Sequence, residues 1–161
     1  QNKKIILSLG GGNYTKSYKI ILDYFANKKY NFLIYSNNKQ TILELKKKYR
    51  NNIYFKFFYN VKNIFNSFPS GIEFAIVNGG YNKILFNFLK IPTAILSTRY
   101  HQLDLTKKFC EHTLNYNLGY YKYMKVSKLK KFEKYLISKK YNKQKFIFNS
   151  NNLKKFSNLI F

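Results

Sequence analysis

Glu73-Phe74-Ala75-Ile76-Val77-Asn78-Gly79-Gly80-Tyr81 is the stretch that decides the fold of this chain. Phe74 to Val77 is a short, wholly apolar run, as expected of a strand covered on both faces. It ends in a glycine pair, and a helical pattern follows as far as Pro92. A second apolar strand, around Ala94-Ile95-Leu96, then leads to His101-Gln102. Glycines at the carboxyl end of a strand let backbone N–H groups come close to an anion. In open α/β sheets, ligands sit along that edge. The layout reads as a phosphate or nucleotide-sugar site.

The same alternation runs outward in both directions. Lys4 to Leu9 is a short apolar run ending in Gly10-Gly11-Gly12. Tyr14 to Asn27 carries Tyr18, Ile21, Leu22 and Phe25, the 3,4-type spacing of a core-facing helix. Asn31 to Tyr35 reads as a second strand, and Thr41 to Tyr49 as a helix capped near Asn37-Asn38. Ile53 to Phe58 is a third strand, and Val61 to Phe68 a short helix ending before Pro69. Strands over Glu73 to Val77 and Thr93 to Ser97 alternate with helices over Tyr81 to Lys90 and Leu103 to His112. Leu114 to Leu118 is a candidate sixth strand.

From about residue 125 the pattern changes to charged helices, Ser127 to Ser138 and Asn151 to Asn158. The expected fold class is therefore α/β: a Rossmann-like parallel sheet with helices on both faces. Residues 1–161 are expected to form one domain with a charged helical C-terminal segment.

The formal net charge of +24 invites a nucleic-acid reading, and the composition argues against it. All but two of the 30 basic residues are Lys, the exceptions being Arg50 and Arg99. A surface selected to read phosphate and bases favours Arg, whose planar fork makes paired contacts. Lys, Asn, Ile, Phe and Tyr share A/T-rich codons, so nucleotide bias accounts for the profile as a whole. The charge still favours loose, salt-sensitive association with anionic polymers.

Cys110 stands alone, which excludes a disulfide framework, and it reads as a buried small apolar side chain. No apolar run reaches the eighteen residues or so of a membrane span, so a cytoplasmic location is the starting expectation. The chain opens on Gln1 almost directly before a strand, the expectation for a fragment or a processed chain.

Two glycine loops are the main candidate sites. Gly10-Gly11-Gly12-Asn13 departs from the GxGxxG pattern; it reads as a loop whose backbone approaches a phosphate or sugar. The competing explanation is a tight turn that needs one positive φ. Asn78-Gly79-Gly80-Tyr81 repeats that geometry on another strand, and its competing explanation is close packing of a helix on the sheet. His101 and Gln102 follow the next strand and are candidates to hydrogen-bond a phosphate or a sugar hydroxyl. His112, near a helix end, reads as a charge that suits the helix dipole. Motifs for a metal, for a GxSxG serine nucleophile and for a Walker lysine are missing, so no metal and no cofactor is expected.

Taken together, the motifs resemble the C-terminal half of the GT-B glycosyltransferase fold. The chain is most similar to the UDP-sugar hydrolase of pseudaminic acid synthesis and its spore-coat polysaccharide relatives. The lipid II-forming N-acetylglucosaminyltransferase is a more distant likeness. Ile5-Ile6-Leu7-Ser8-Leu9-Gly10-Gly11-Gly12 resembles the family's "ILVSLGGSD" opening. Tyr59-Asn60-Val61 resembles its loop before a short helix, and Ala75-Ile76-Val77-Asn78-Gly79-Gly80 resembles "AISAAG". Leu89-Lys90-Ile91-Pro92, with Gln102 ten residues after the proline, resembles "LGIP…NQ". The likeness covers roughly Lys3 to Tyr120.

The resemblance implies a nucleotide-sugar site. Gly11, Gly12 and Asn13 would face the phosphates or the sugar, and Asn60 and Val61 the uracil. Gly79, Gly80 and Tyr81, with the helix beginning near Asn78, would cradle pyrophosphate, and Gln102 would contact the sugar or phosphate. It also implies an N-terminal half, covalent or separate, that completes the enzyme. One position departs from the family: Leu85 stands where a ribose-binding Glu is common, seven residues before Pro92.

Three functions therefore compete. The first is the UDP-sugar-binding half of a hydrolase or glycosyltransferase in surface-glycan synthesis. The second is a degenerate, non-catalytic binding module of the same fold, and the third a basic nucleic-acid-binding protein.

Overall fold

The computed structural model describes residues 3–61, 69–113 and 115–138. Six strands form one sheet: β1 Lys4–Ser8, β2 Asn31–Ser36, β3 Phe55–Tyr59, β4 Ile72–Asn78, β5 Thr93–Ser97 and β6 Tyr116–Tyr120. Five α-helices accompany them: α1 Thr15–Phe25, α2 Lys39–Lys48, α3 Asn82–Phe88, α4 Gln102–Thr113 and α5 Val126–Ile137. The strand order is β3-β2-β1-β4-β5-β6. Every pairing is parallel. The chain therefore has a Rossmann-like α/β fold.

Alternation along the strands divides the core into two layers. Ile5, Leu7, Phe32, Ile34, Phe74 and Ile76 belong to one, with Tyr18, Ile21, Leu22 and Phe25 of α1 and Leu45 of α2. Ile6, Leu33, Ala75, Val77 and Ile95 belong to the other, under Phe86 of α3 and Cys110 of α4. The central strands are buried on both faces, which is why they read as continuous apolar runs.

The charged segment after residue 125 is partly core. α5 buries Leu129 and Phe132 and sets the Phe132 ring 5.2 Å from that of Phe74. Its Glu133 accepts from Lys28 Nζ at 2.6 Å and from Tyr24 Oη at 2.6 Å, which fastens α5 to α1.

Strand and helix boundaries differ from the sequence expectation by a few residues. β3 starts at Phe55 rather than Ile53, because Tyr54 N–H turns back to Asn52 Oδ1 and Ile53 is exposed. β6 starts two residues later than the pattern predicts, at Tyr116. α3 is shorter than predicted, since Lys90 has a positive φ of 58° that ends the helical path before Pro92. The expected cap of α2 is Asn38, whose side chain accepts from Thr41 N–H at 2.9 Å. The helices expected at Val61 to Phe68 and at Asn151 to Asn158 lie outside the described residues, apart from Val61 itself.

Candidate functional site

The strand order reverses between β1 and β4. β1 leads leftward to β2 and β3, and β4 leads rightward to β5 and β6. Beyond the carboxyl ends of these two strands lies the crevice where open α/β sheets bind ligands. Both glycine loops emerge there, side by side, because β1 and β4 pair directly with Ser8 opposite Val77.

The first loop is held from below by Tyr18. Its buried hydroxyl accepts Leu9 N–H at 2.8 Å and donates to Tyr35 O at 2.7 Å, tying the end of β1 to β2. Burial raises the Tyr18 pKa far above the ordinary tyrosine value, so the hydroxyl stays protonated and the tie persists across the working pH range.

The three glycines of this loop differ. Gly10 has φ +89°, the left-handed backbone that a turn requires, and a Cβ there would meet Asn78 Nδ2 at 2.7 Å. A Cβ on Gly12 would lie 2.6 Å from the ring of Tyr14, which covers that side. Gly11 is exposed, and its Cβ would make only ordinary contact, 3.5 Å from Asn37 Cβ.

Asn78 joins the second loop to the first. Its Nδ2 donates to Leu9 O at 3.4 Å, and its Oδ1 accepts Gly80 N–H at 3.2 Å. Gly79 is buried against α4: a Cβ there would lie 2.8 Å from Thr106 Oγ1 and 3.0 Å from Gln102 Cβ. Close packing therefore accounts for Gly79 itself, and the helix involved is α4 rather than α3. Gly80 is half-buried and Tyr81 is exposed.

Gln102, at the start of α4, is buried, and its carbonyl oxygen is heavily used. It accepts from Thr98 N–H at 2.9 Å, Thr98 Oγ1 at 3.2 Å and Arg99 N–H at 3.2 Å. Asn13 behaves similarly, accepting from Thr15 N–H at 3.4 Å and Thr15 Oγ1 at 2.9 Å. What these two amides have left to offer a ligand is N–H donors, which suits an anion or a ring of acceptors. His101 is exposed in the loop between β5 and α4.

Asn60 and Val61 stand apart from this group. They follow β3, and β2 separates that edge strand from β1, so they lie about 10 Å from the first glycine loop by strand spacing. Asn60 is exposed with φ 51° and donates its N–H to Ser36 O at 3.4 Å. Val61 packs against the second core layer. The structure thus gathers Gly11, Gly12, Asn13, Asn78, Gly79, Gly80, Tyr81, His101 and Gln102 on three adjacent strands, with Asn60 and Val61 at the flank.

Two features of this edge escaped the sequence reading. Tyr59, Tyr81, Tyr100 and Tyr123 are the exposed tyrosines among the described residues; Tyr59 closes β3 and the other three each follow a strand by three residues, so that this row extends the one member named from sequence, Tyr81. The signal was a tyrosine at the end of a strand or three residues beyond it, hidden in a chain holding 16 of them. The other is Lys83, buried on α3, with Nζ donating to Gly79 O at 2.8 Å. A lysine in an amphipathic segment is ordinarily assigned to solvent, so nothing marked it.

Among the described residues, no group of three His, Cys, Asp or Glu side chains is placed to hold a metal ion, and no helix is long and apolar enough to cross a membrane. A surface cleft of about 380 Å³ opens at the opposite edge, lined by Lys48, Tyr49, Asn51, Asn52 and Tyr54 among others, and includes neither glycine loop. The chain matches no protein-family model and no curated protein.

Proposed function

We propose that this chain is the UDP-sugar-binding half of a nucleotide-sugar hydrolase or glycosyltransferase serving surface-glycan synthesis. The observation that supports this reading is the adjacency of the Gly10–Asn13 and Asn78–Tyr81 loops where the strand order reverses, clipped together by Asn78. On this reading the diphosphate lies across the two loops, near Gly11 and Gly80, and the amides of Asn13 and Gln102 donate to phosphate or sugar oxygens. Backbone N–H groups would stabilise the charge that builds on the leaving diphosphate. An N-terminal half, covalent or separate, would supply the remaining catalytic groups.

Leu85 favours a second reading, a binding module of the same fold without catalysis. It sits half-buried on α3 where relatives of the resembled family place a ribose-binding carboxylate, and an aliphatic side chain cannot accept those hydroxyl hydrogen bonds.

Calorimetric titration of the chain with UDP tests the shared claim, with Gly80→Val as control. In that variant a Cβ arrives 3.2 Å from Asn78 Oδ1 and a branched side chain crowds the loop. Saturable binding lost in Gly80→Val supports a nucleotide at this edge. Absence of binding by a chain whose circular dichroism shows it folded overturns the proposal.

A further inference from the structure

Lys83 is the one formally charged side chain in the buried class among the described residues. Its ammonium lies between α3 and α4: Nζ donates to Gly79 O at 2.8 Å and stands 5.6 Å from the centre of the Phe109 ring. The carboxylates Asp23, Glu44, Glu73 and Glu133 are each engaged by another lysine elsewhere in the fold. The remaining two, Asp104 and Glu111, are exposed on α4. The titratable group beside Lys83 on that helix is Cys110, a thiol pushed up to about 12 chiefly by burial and therefore neutral. A charge so placed has given up hydration for one carbonyl and the Phe109 ring, with no carboxylate among the described residues beside it, an arrangement that a nearby anion would complete.

We propose that Lys83 is the built-in counter-charge for the diphosphate at the Asn78–Tyr81 loop, reaching the ligand's field from beneath through Gly79. This rests on the nucleotide reading above and adds a residue to it. A lysine under the loop gives charge attraction without touching the reacting atoms, so Lys83 acts as a positioning and affinity residue. Burial lowers the Lys83 pKa in the free protein. An arriving diphosphate anion favours the protonated amine, so binding above the free-state pKa must capture a proton from solvent. Affinity then declines with rising pH, by at most tenfold per pH unit.

The test is calorimetry with UDP on the full chain between pH 7 and 9.5, each pH run in two buffers of different ionisation enthalpy. Wild type is expected to take up a growing fraction of a proton per UDP as pH rises. Lys83→Met is expected to bind about tenfold more weakly at pH 7 without that uptake, and Lys83→Arg to restore affinity while losing the pH dependence. Proton uptake is read on wild type alone, so a variant that fails to fold does not block the measurement. Tight UDP binding with no proton uptake, or with uptake unchanged in Lys83→Met, overturns the role of Lys83 and leaves the nucleotide reading standing. No UDP binding by wild type overturns both.

Discussion

Asn78 and Leu9 are 69 positions apart in the chain, yet the side-chain amide of the first donates to the carbonyl of the second at 3.4 Å. With its oxygen the same amide accepts Gly80 N–H at 3.2 Å, so one residue sets both loops. Asn78→Ala should cost about 1 kcal/mol of stability, the usual scale for losing such bonds. Asn78→Asp keeps the acceptor for Gly80 but places a carboxylate at the proposed diphosphate. Thermal melts are expected to show Asn78→Asp, whose second carboxylate oxygen faces the Leu9 carbonyl, at least as destabilised as Asn78→Ala, and UDP affinity is expected to fall further in Asn78→Asp.

The glycines can be separated by substitution. Gly79→Ala forces a methyl to within 2.8 Å of Thr106 Oγ1 in the buried contact with α4, and overpacking of this kind costs about 1–3 kcal/mol. Gly11→Ala adds a methyl in ordinary contact with Asn37 at an exposed position, and stability should stay within about 0.5 kcal/mol of wild type. Denaturant unfolding of both variants checks the ranking, and equal destabilisation would contradict the geometry.

Gln102 is a candidate ligand contact through its N–H donors, while its oxygen gathers the turn after β5. Gln102→Leu, of similar size, strips the acceptor from Thr98 N–H and Arg99 N–H and should destabilise by about 2 kcal/mol. Gln102→Glu keeps an acceptor in the same place, so its melting point should stay closer to wild type. On the proposed function its negative charge should still weaken UDP binding. Two melts and one titration separate the structural part of this residue from its ligand-facing part.

The α1–α5 contact carries a pH dependence. Burial alone would raise the Glu133 pKa, but the hydrogen bonds from Lys28 and Tyr24 and the Lys28 charge outweigh it and hold the carboxyl below its ordinary range. A depressed carboxylate pKa stabilises the fold above the unfolded value, about 4.3, and that contribution is lost as pH falls through the folded value. Glu133→Gln should therefore lose about 1 kcal/mol at pH 7 and show a flatter acid limb than wild type. Melting curves at pH 7, 4.5 and 3 report it, and parallel acid limbs would contradict the assignment.

The fold was largely legible because its central strands are buried on both faces. Ile5-Ile6-Leu7 and Phe74-Ala75-Ile76-Val77 have no polar residue to blur the pattern, and Tyr18, Ile21, Leu22 and Phe25 mark the inner face of α1 unambiguously. Boundaries were less legible where side chains or positive φ decide them, as at Asn52 before β3 and at Lys90 after α3. The loops themselves could be named from sequence, but the job of each glycine could not. Gly10 serves backbone conformation, Gly79 serves packing, and Gly11 is exposed, distinctions that depend on neighbours far away in the chain. Lys83 was hidden for the same reason: what buries it is α4, some twenty residues further on.

The most direct test of the central claim is an amide-resolved NMR titration of the full chain with UDP at physiological salt. Saturable shifts concentrated at Gly11, Gly12, Asn13, Gly80 and Tyr81 are the predicted result, with Arg50 and Asn51 at the opposite edge unmoved. No shifts, or diffuse shifts at exposed lysines that vanish with added salt, would contradict a nucleotide site where β1 meets β4.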